Sequence, residues 1–450
     1  MHFPTSTRPL ALLLTLELAA GAAQAQATGG SPYSAYGLGD LVTTGQATQA
    51  MAAGTGLGMA EPYSVTPGNP AGYTALARPV FEGAAVFNAT RSRSAEASSK
   101  ERDLRFMGFT LGVPFAGGKW GLALGLLPYS NVGYSATRNA VADTIPVQYQ
   151  YTGSGGLSRA FFGLGRTLFQ QRPDSLGNAG QRISLGADFN FIFGNIAETR
   201  DATYNKDDGY NNIRAFSSLF LTAPAADASL VWQGDLTKRT KRDQDNWRWT
   251  AGISMALPVN FKAAYTNLTT SYVVQNGVET VRDTIAYLHE SNGRLTTPVR
   301  MGLAAGVQNA QWGFTVERKQ QDWSNTGVNV AGYAWAANMG NAATWAAAAR
   351  YRPGGEGGIL HRMVYRLGFS MGNAPQQVRG NTLNETMVTG GVSIPLNTMQ
   401  TNSWLHIGGS FRQRGTTADG LIAEQRTALW IGLAITPWRG ERWFTPSRIQ

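Results

Sequence analysis

Large apolar side chains alternate with small or polar ones along about fourteen short stretches of this chain. The clearest is Ile183-Ser184-Leu185-Gly186-Ala187-Asp188-Phe189-Asn190-Phe191. Neighbouring side chains on a strand point to opposite faces. Ile183, Leu185, Phe189 and Phe191 therefore share one face, and Ser184, Gly186, Asp188 and Asn190 the other. The parity recurs. Trp120, Leu122, Leu124 and Leu126 oppose Gly121, Ala123 and Gly125, and Tyr365, Leu367, Phe369 and Met371 oppose Arg366, Gly368, Ser370 and Gly372. Leu429, Ile431, Leu433 and Ile435 likewise oppose Ala428, Trp430, Gly432 and Ala434. A soluble sandwich would turn the apolar face inward, but the facing parity is too small and polar to cover a surface. A transmembrane antiparallel β-barrel, greasy outside and wet inside, accounts for the pattern.

Strands are expected at 80–91, 103–114, 119–130, 156–168, 181–193, 212–234, 245–272, 296–308, 311–319, 342–352, 362–372, 384–394, 403–413 and 424–436. Tight turns at Phe115–Lys119, Gln308–Gln311 and Asn397–Asn402 alternate with long polar loops at 131–155, 194–211, 273–295 and 320–341. Short turns belong on the periplasmic side and long loops outside, which leaves both chain ends in the periplasm. Residues 26–79, rich in Gly, Ala, Thr and Pro with a short helix expected around Gln46–Ala53, read as an N-terminal plug. The barrel then spans 80–436, and 437–450 form a periplasmic tail.

Composition sharpens this. Residues 1–25 carry His2 and Arg8, an apolar run from Pro9 to Ala20 and the cleavage signal Ala23-Gln24-Ala25, with Ala25-Gln26-Ala27 as an alternative. Such a signal peptide directs export to a bacterial outer membrane. No later stretch reaches 18 apolar residues, so helical spans are not expected. The absence of cysteine excludes disulfides, thiolate metal sites and lipoprotein anchoring. The 54 glycines suit a small-residue lumen, and 16 Tyr and 12 Trp suit aromatic girdles. The net charge of +10 is scattered over loops and lumen positions, so anionic lipid headgroups explain it better than nucleic acid.

Candidate chemistry is sparse. The lumen parity reads mainly as Gly, Ser, Asn and Arg, with Trp404, Trp430 and Phe106 as exceptions, and Met51, Leu57, Met59 and Tyr63 of the plug could supply an apolar wall. Arg248, Arg300 and Arg366 are candidates to pair a ligand carboxylate, unless they pair lumen acids such as Asp188 and Glu317. His289, His361 and His406 lack metal-ligand spacing. His406 reads as a hydrogen-bonded lumen histidine, and His361 as the start of a periplasmic-side strand. Gly54-x-Gly56-x-Gly58 follows no strand and is no dinucleotide fingerprint. No catalytic residue, metal or cofactor is expected.

A family resemblance adds to this reading. Gly54-Thr55-Gly56-Leu57-Gly58-Met59-Ala60 followed by Pro67-Gly68-Asn69-Pro70-Ala71 resembles the plug of FadL/TodX-type outer-membrane transporters of long-chain fatty acids and other hydrophobic compounds. Trp120-Gly121-Leu122-Ala123-Leu124-Gly125-Leu126-Leu127-Pro128-Tyr129-Ser130, Gln321-Asp322-Trp323-Ser324, Arg414-Gly415-Thr416-Thr417 and Trp443-Phe444 are similar in order and spacing, so the likeness spans residues 33 to 444. It implies a 14-stranded barrel, a hatch motif at Asn69, Pro70 and Ala71, and lateral release of substrate through a gap where the third strand kinks. Gly121, Gly125 and Pro128 are the kink candidates, since glycine weakens a ladder and proline has no N–H to give it.

The leading expectation is therefore plug-gated passive uptake of hydrophobic small molecules. A structural or shuttle barrel subunit of an outer-membrane secretion or assembly complex, with a protein partner, is the alternative. A general hydrophilic pore is a third, which a seated plug should suppress.

Overall fold

The computed structural model describes residues 30–436 apart from 60, 143–144, 177, 205–208, 241–244, 335–337, 355–357 and 397–402. The signal segment, the Asn397–Asn402 turn, Trp443-Phe444 and the 437–450 tail lie outside the described residues. Fourteen antiparallel strands close into one barrel. They are β1 (Val80–Arg93), β2 (Ser98–Phe115), β3 (Trp120–Ala142), β4 (Ile145–Gln170), β5 (Arg182–Tyr204), β6 (Asn212–Asp235), β7 (Arg248–Ala256 with Val259–Gln275) and β8 (Val278–Thr297 with Arg300–Gln308). The remaining six are β9 (Trp312–Asp322 with Gly327–Val330), β10 (Asn338–Met339 with Asn341–Tyr351), β11 (Val364–Val378), β12 (Asn381–Pro395), β13 (Trp404–Arg414) and β14 (Ala423–Ile435). Pairing of β14 with β1 removes the sheet edge.

The expected parity holds. Leu185, Phe189, Phe191, Leu367, Phe369, Leu429 and Ile431 are exposed on the outside, while Ser184, Asp188, Asn190, Arg366 and Ser370 are buried inside. An exposed apolar exterior on a closed barrel places the chain in a bacterial outer membrane. Phe106 departs from expectation: it points outward, 55% exposed. A register shift between Gly83 and Ala85 against β2 inserts an extra residue there and reverses the parity.

Three of the four expected long loops are largely strand among the described residues. β3 and β4 stay paired out to Ala142↔Ile145, β5 runs to Tyr204, and β7 and β8 pair out to Gln275↔Val278 across an Asn276-Gly277 turn. Within 320–341, a one-turn helix (Trp323–Asn325) and the strand segment Gly327–Val330 replace coil. Four adjacent strands are interrupted at one level: Pro258 in β7, Pro298 in β8, the Trp323 turn in β9 and Gly340 in β10. The two prolines have no N–H to contribute where Val259 and Thr297 resume pairing. His361 lies in a one-turn helix, Ile359–Arg362, rather than at the start of β11.

Residues 30–79 occupy the lumen. They begin near the long-hairpin rim, where Tyr33 Oη donates to the Ile422 carbonyl, and descend to Val80 at the short-turn rim. The short helix expected around Gln46–Ala53 is Ala47–Met51.

Candidate functional site

The β2–β3 ladder is short. It runs only from Phe115↔Trp120 to Phe109↔Leu126. Beyond that point β2 pairs with β1 alone among the barrel strands, and β3 with β4. Gly108 marks the end of the ladder: its φ of +92° suits glycine, and a Cβ there would collide with the Leu126 carbonyl. On β3 a register shift between Pro128 and Ser130 leaves Tyr129 as an extra residue, and the Tyr129 carbonyl accepts from Val42 N at 2.9 Å. Gly121 and Gly125 lie in continuous pairing instead.

The plug covers this free edge of β3. Asp40 pairs with Asn131 and Leu41 with Ser130 as a two-residue strand. Ser34 Oγ both donates to the Gly133 carbonyl and accepts from Gly133 N, each at 3.1 Å.

Behind the edge lies an apolar lumen. Leu157, Ile192, Leu219, Leu221, Phe261 and Leu295 are buried together with Leu38 of the plug, and Tyr129, Tyr134 and Leu41 pack against them. This corrects the expectation of a lumen made mainly of Gly, Ser, Asn and Arg. That description fits the short-turn half, whereas the long-hairpin half carries bulky apolar groups on the inward parity too. A cavity of about 240 Å³ adjoins this cluster through Leu41, Tyr129 and Trp323 and extends to Arg300, Glu317, Lys319 and Arg412.

The plug is fixed at three levels. Near the long-hairpin rim, Asp40 meets Arg414 at 2.8 Å and Arg426 at 3.1 Å, while Glu424 meets Arg414 at 3.0 Å and Arg412 at 3.2 Å. Glu385 completes the group with Arg412 at 3.5 Å, and Ser31 Oγ bonds both Glu424 and Arg414. Burial alone would raise the Asp40 carboxyl, but the three guanidiniums hold it far below the ordinary carboxylate range.

At mid-height, barrel side chains satisfy plug backbone. Glu317 accepts from Gly56 N at 2.9 Å and Leu57 N at 3.2 Å, and Glu82 accepts from Val65 N at 2.7 Å. Asn69 caps the turn Pro70–Ala75: its Oδ1 accepts from Gly72 N, and Ser229 Oγ donates to the same oxygen at 3.0 Å. Ala71 N in turn donates to Ser229 Oγ at 2.9 Å. Pro70 lies so close to β4 and β5 that a Cβ on Gly165 or Gly186 would collide with its backbone. Burial first, then the Asp188 carboxylate, push the Tyr73 phenol well above its ordinary value. It stays protonated and donates to Asp188 at 3.1 Å.

At the inner end, Glu61 meets Arg366 at 3.0 Å and Arg350 at 3.9 Å. Burial would raise Glu61, but Arg366 and then Arg350 hold it below the ordinary glutamate value.

The candidate arginines are therefore dispersed. Arg300 lines the 240 Å³ cavity, whereas Arg248 and Arg366 line a second chamber at the short-turn rim. Arg248 reaches Asp235 at 3.5 Å. Asp188 and Glu317 serve the plug rather than these arginines. Met51, Leu57 and Met59 press into notches at Gly391, Gly252 and Gly313, so they key the plug to the wall. Tyr63 stacks toward Trp404 with ring centroids 6.0 Å apart. His406 bonds Ser393 Oγ at 2.8 Å, as a lumen histidine should. Sequence reasoning missed Asp40, Glu61, Arg412, Arg426 and Glu424, and noted Arg414 only as part of a family-like motif. For the arginines and Glu424 the sequence signal was charge on an inward parity, and Asp40 and Glu61 of the plug had no such signal.

The architecture has solved counterparts. The toluene transporter TbuX of Ralstonia pickettii superposes with a TM-score of 0.53 at 12% identity, covering 87% of this chain and 98% of that one. A Pseudomonas aeruginosa FadL homologue gives 0.53 at 11% identity, covering 88% and 99%. At such identity the likeness establishes the fold, which is that of FadL/TodX-type transporters. No curated protein matches the sequence. The BamG family model matches residues 8–450. With nearly its whole length matched, the chain belongs to the BamG family.

Proposed function

We propose that this protein is a passive outer-membrane conduit for hydrophobic small molecules such as long-chain fatty acids or monoaromatic compounds. The observation that carries this reading is the unpaired stretch between β2 and β3 lying directly against the apolar half of the lumen. Apolar solute entering at the long-hairpin rim, taken as the outer face, would bind along Leu157, Ile192 and Phe261. It would leave sideways into the bilayer between β2 and β3. Leaving requires the plug edge at Asp40–Leu41 to move off β3, so the plug gates the exit. Pro128, whose missing N–H interrupts the ladder at the register shift, is the kink residue on this reading, and Gly121 and Gly125 provide close packing against plug and sheet. Arg300 is the remaining candidate for a ligand carboxylate, being the one of the three that lines the outer cavity. No energy source is required; flux follows the concentration gradient. Uptake of labelled long-chain fatty acid and labelled toluene is compared in cells with and without the protein. Slower uptake of at least one in its absence supports the reading, and equal uptake of both at limiting concentration removes it.

A second reading, a structural barrel subunit of an outer-membrane assembly or secretion complex, is favoured by the many bonds that seat the plug. It predicts co-purification with a large partner and unchanged function when the plug is cross-linked to the wall.

A further inference from the structure

Below the plug, the short-turn rim encloses a chamber of about 420 Å³. Its described lining includes six arginines (Arg182, Arg239, Arg248, Arg350, Arg352, Arg366) against two carboxylates, Glu61 and Asp245. Even with Asp235 counted as the partner of Arg248, positive charge remains in excess. Such an excess inside a barrel wall is costly unless an anion offsets it.

A second observation points the same way. Arg366 Nη1 donates to Ser393 Oγ at 2.6 Å, and a guanidinium has no acceptor to offer in return. The serine proton is thus free to go to His406 Nδ1, 2.8 Å away. That fixes a neutral imidazole with its own proton on Nε2. His406 Nε2, Trp404 Nε1 and Arg366 Nε are then buried donors with no acceptor among the described residues. Their residues are 4%, 6% and 5% exposed, and all three line the chamber. Donors lacking acceptors amid surplus cations fit a guest that accepts only, and an apolar guest would leave every one of them unpaired.

We propose that this chamber binds a small multivalent oxyanion, a phosphate- or carboxylate-bearing solute that enters from the periplasmic rim. Arg366 and Arg350 are shared between the guest and Glu61 of the plug, so the two anionic partners compete. The site does not depend on what crosses the barrel, and its failure would leave the uptake reading standing.

The test is isothermal titration of the full chain in detergent micelles, at low salt, with inorganic pyrophosphate and separately with citrate. The tighter of the two names the anion class. Saturable binding is expected, weakened about tenfold by W404F, which keeps an aromatic ring but loses the N–H, and by R248Q, as for loss of one charge-assisted bond. E61Q should tighten binding by removing the competitor, and R138Q, on the exposed hairpin arm of β3, should leave it unchanged. Heat-modifiable migration on gels establishes that each variant barrel is folded. Lack of saturable binding of either anion to the native chain would overturn the proposal, as would W404F and R248Q binding like the native chain.

Discussion

The two ends of the plug are held by different electrostatics. At the outer end three arginines (Arg412, Arg414, Arg426) meet three carboxylates (Asp40, Glu385, Glu424), each with a partner within 3.5 Å. At the inner end one plug carboxylate, Glu61, faces a chamber of arginines that it does not neutralise. A balanced buried cluster over-determines a position, because removing any member strands a charge. An unbalanced one holds its segment loosely and leaves capacity for another partner. The outer end therefore reads as the anchor that keeps Asp40–Leu41 on β3, and the inner end as an exchangeable contact.

The sharpest way to break this contrast is to remove a central arginine. R414A leaves Asp40 and Glu424 buried beside fewer cations. It should cost about 3–5 kcal/mol locally and make residues 30–79 protease-sensitive, with ion conductance appearing in planar bilayers. E61Q removes a more accessible pair in which Arg366 keeps Ser393. Its cost should be about 1–2 kcal/mol, with conductance near that of the native chain. Equal effects of the two would erase the distinction between anchor and exchangeable contact.

Acid should loosen both ends. Asp40 and Glu61 are held below their ordinary values of 3.8 and 4.5. A depressed carboxyl contributes its stabilisation fully above the unfolded value and loses it as pH falls through the folded value. The protection that these two carboxylates give the plug should thus persist down to about pH 5 and be lost only in stronger acid. Unchanged proteolysis in strong acid would contradict the assignment of carboxylates as the anchoring groups. The smallest effect is expected mid-plug. S229A removes two hydrogen bonds to the Asn69-Pro70-Ala71 turn and should lower the thermal midpoint by an amount matching about 1–2 kcal/mol.

Much of the barrel was legible because lipid on one side and a small-residue lumen on the other enforce strict alternation. All fourteen strands and the buried positions of Asp188, Arg366 and His406 followed from that parity. The hairpin arms did not. Residues 278–289 of β8 are exposed on both faces, so no amphipathic pattern marks them as strand. Phe106 misled because a register shift resets parity, which counting along the chain does not reveal. The apolar lumen half was hidden where the inward positions, Ile192, Leu219 and Phe261, are as bulky as the outward ones. The anchor was out of reach altogether: Asp40 and Arg414 are separated by 374 residues, and only barrel closure brings them together.

The central claim is that the plug edge must leave β3 for apolar solute to exit between β2 and β3. Leu41 and Ser130 are directly paired, and the chain has no cysteine of its own, so an L41C/S130C pair would tie plug to strand cleanly. Uptake of labelled fatty acid or toluene by cells carrying the cross-linked barrel should fall toward the level of cells lacking the protein and recover on reduction. Undiminished uptake with the disulfide formed would contradict the account.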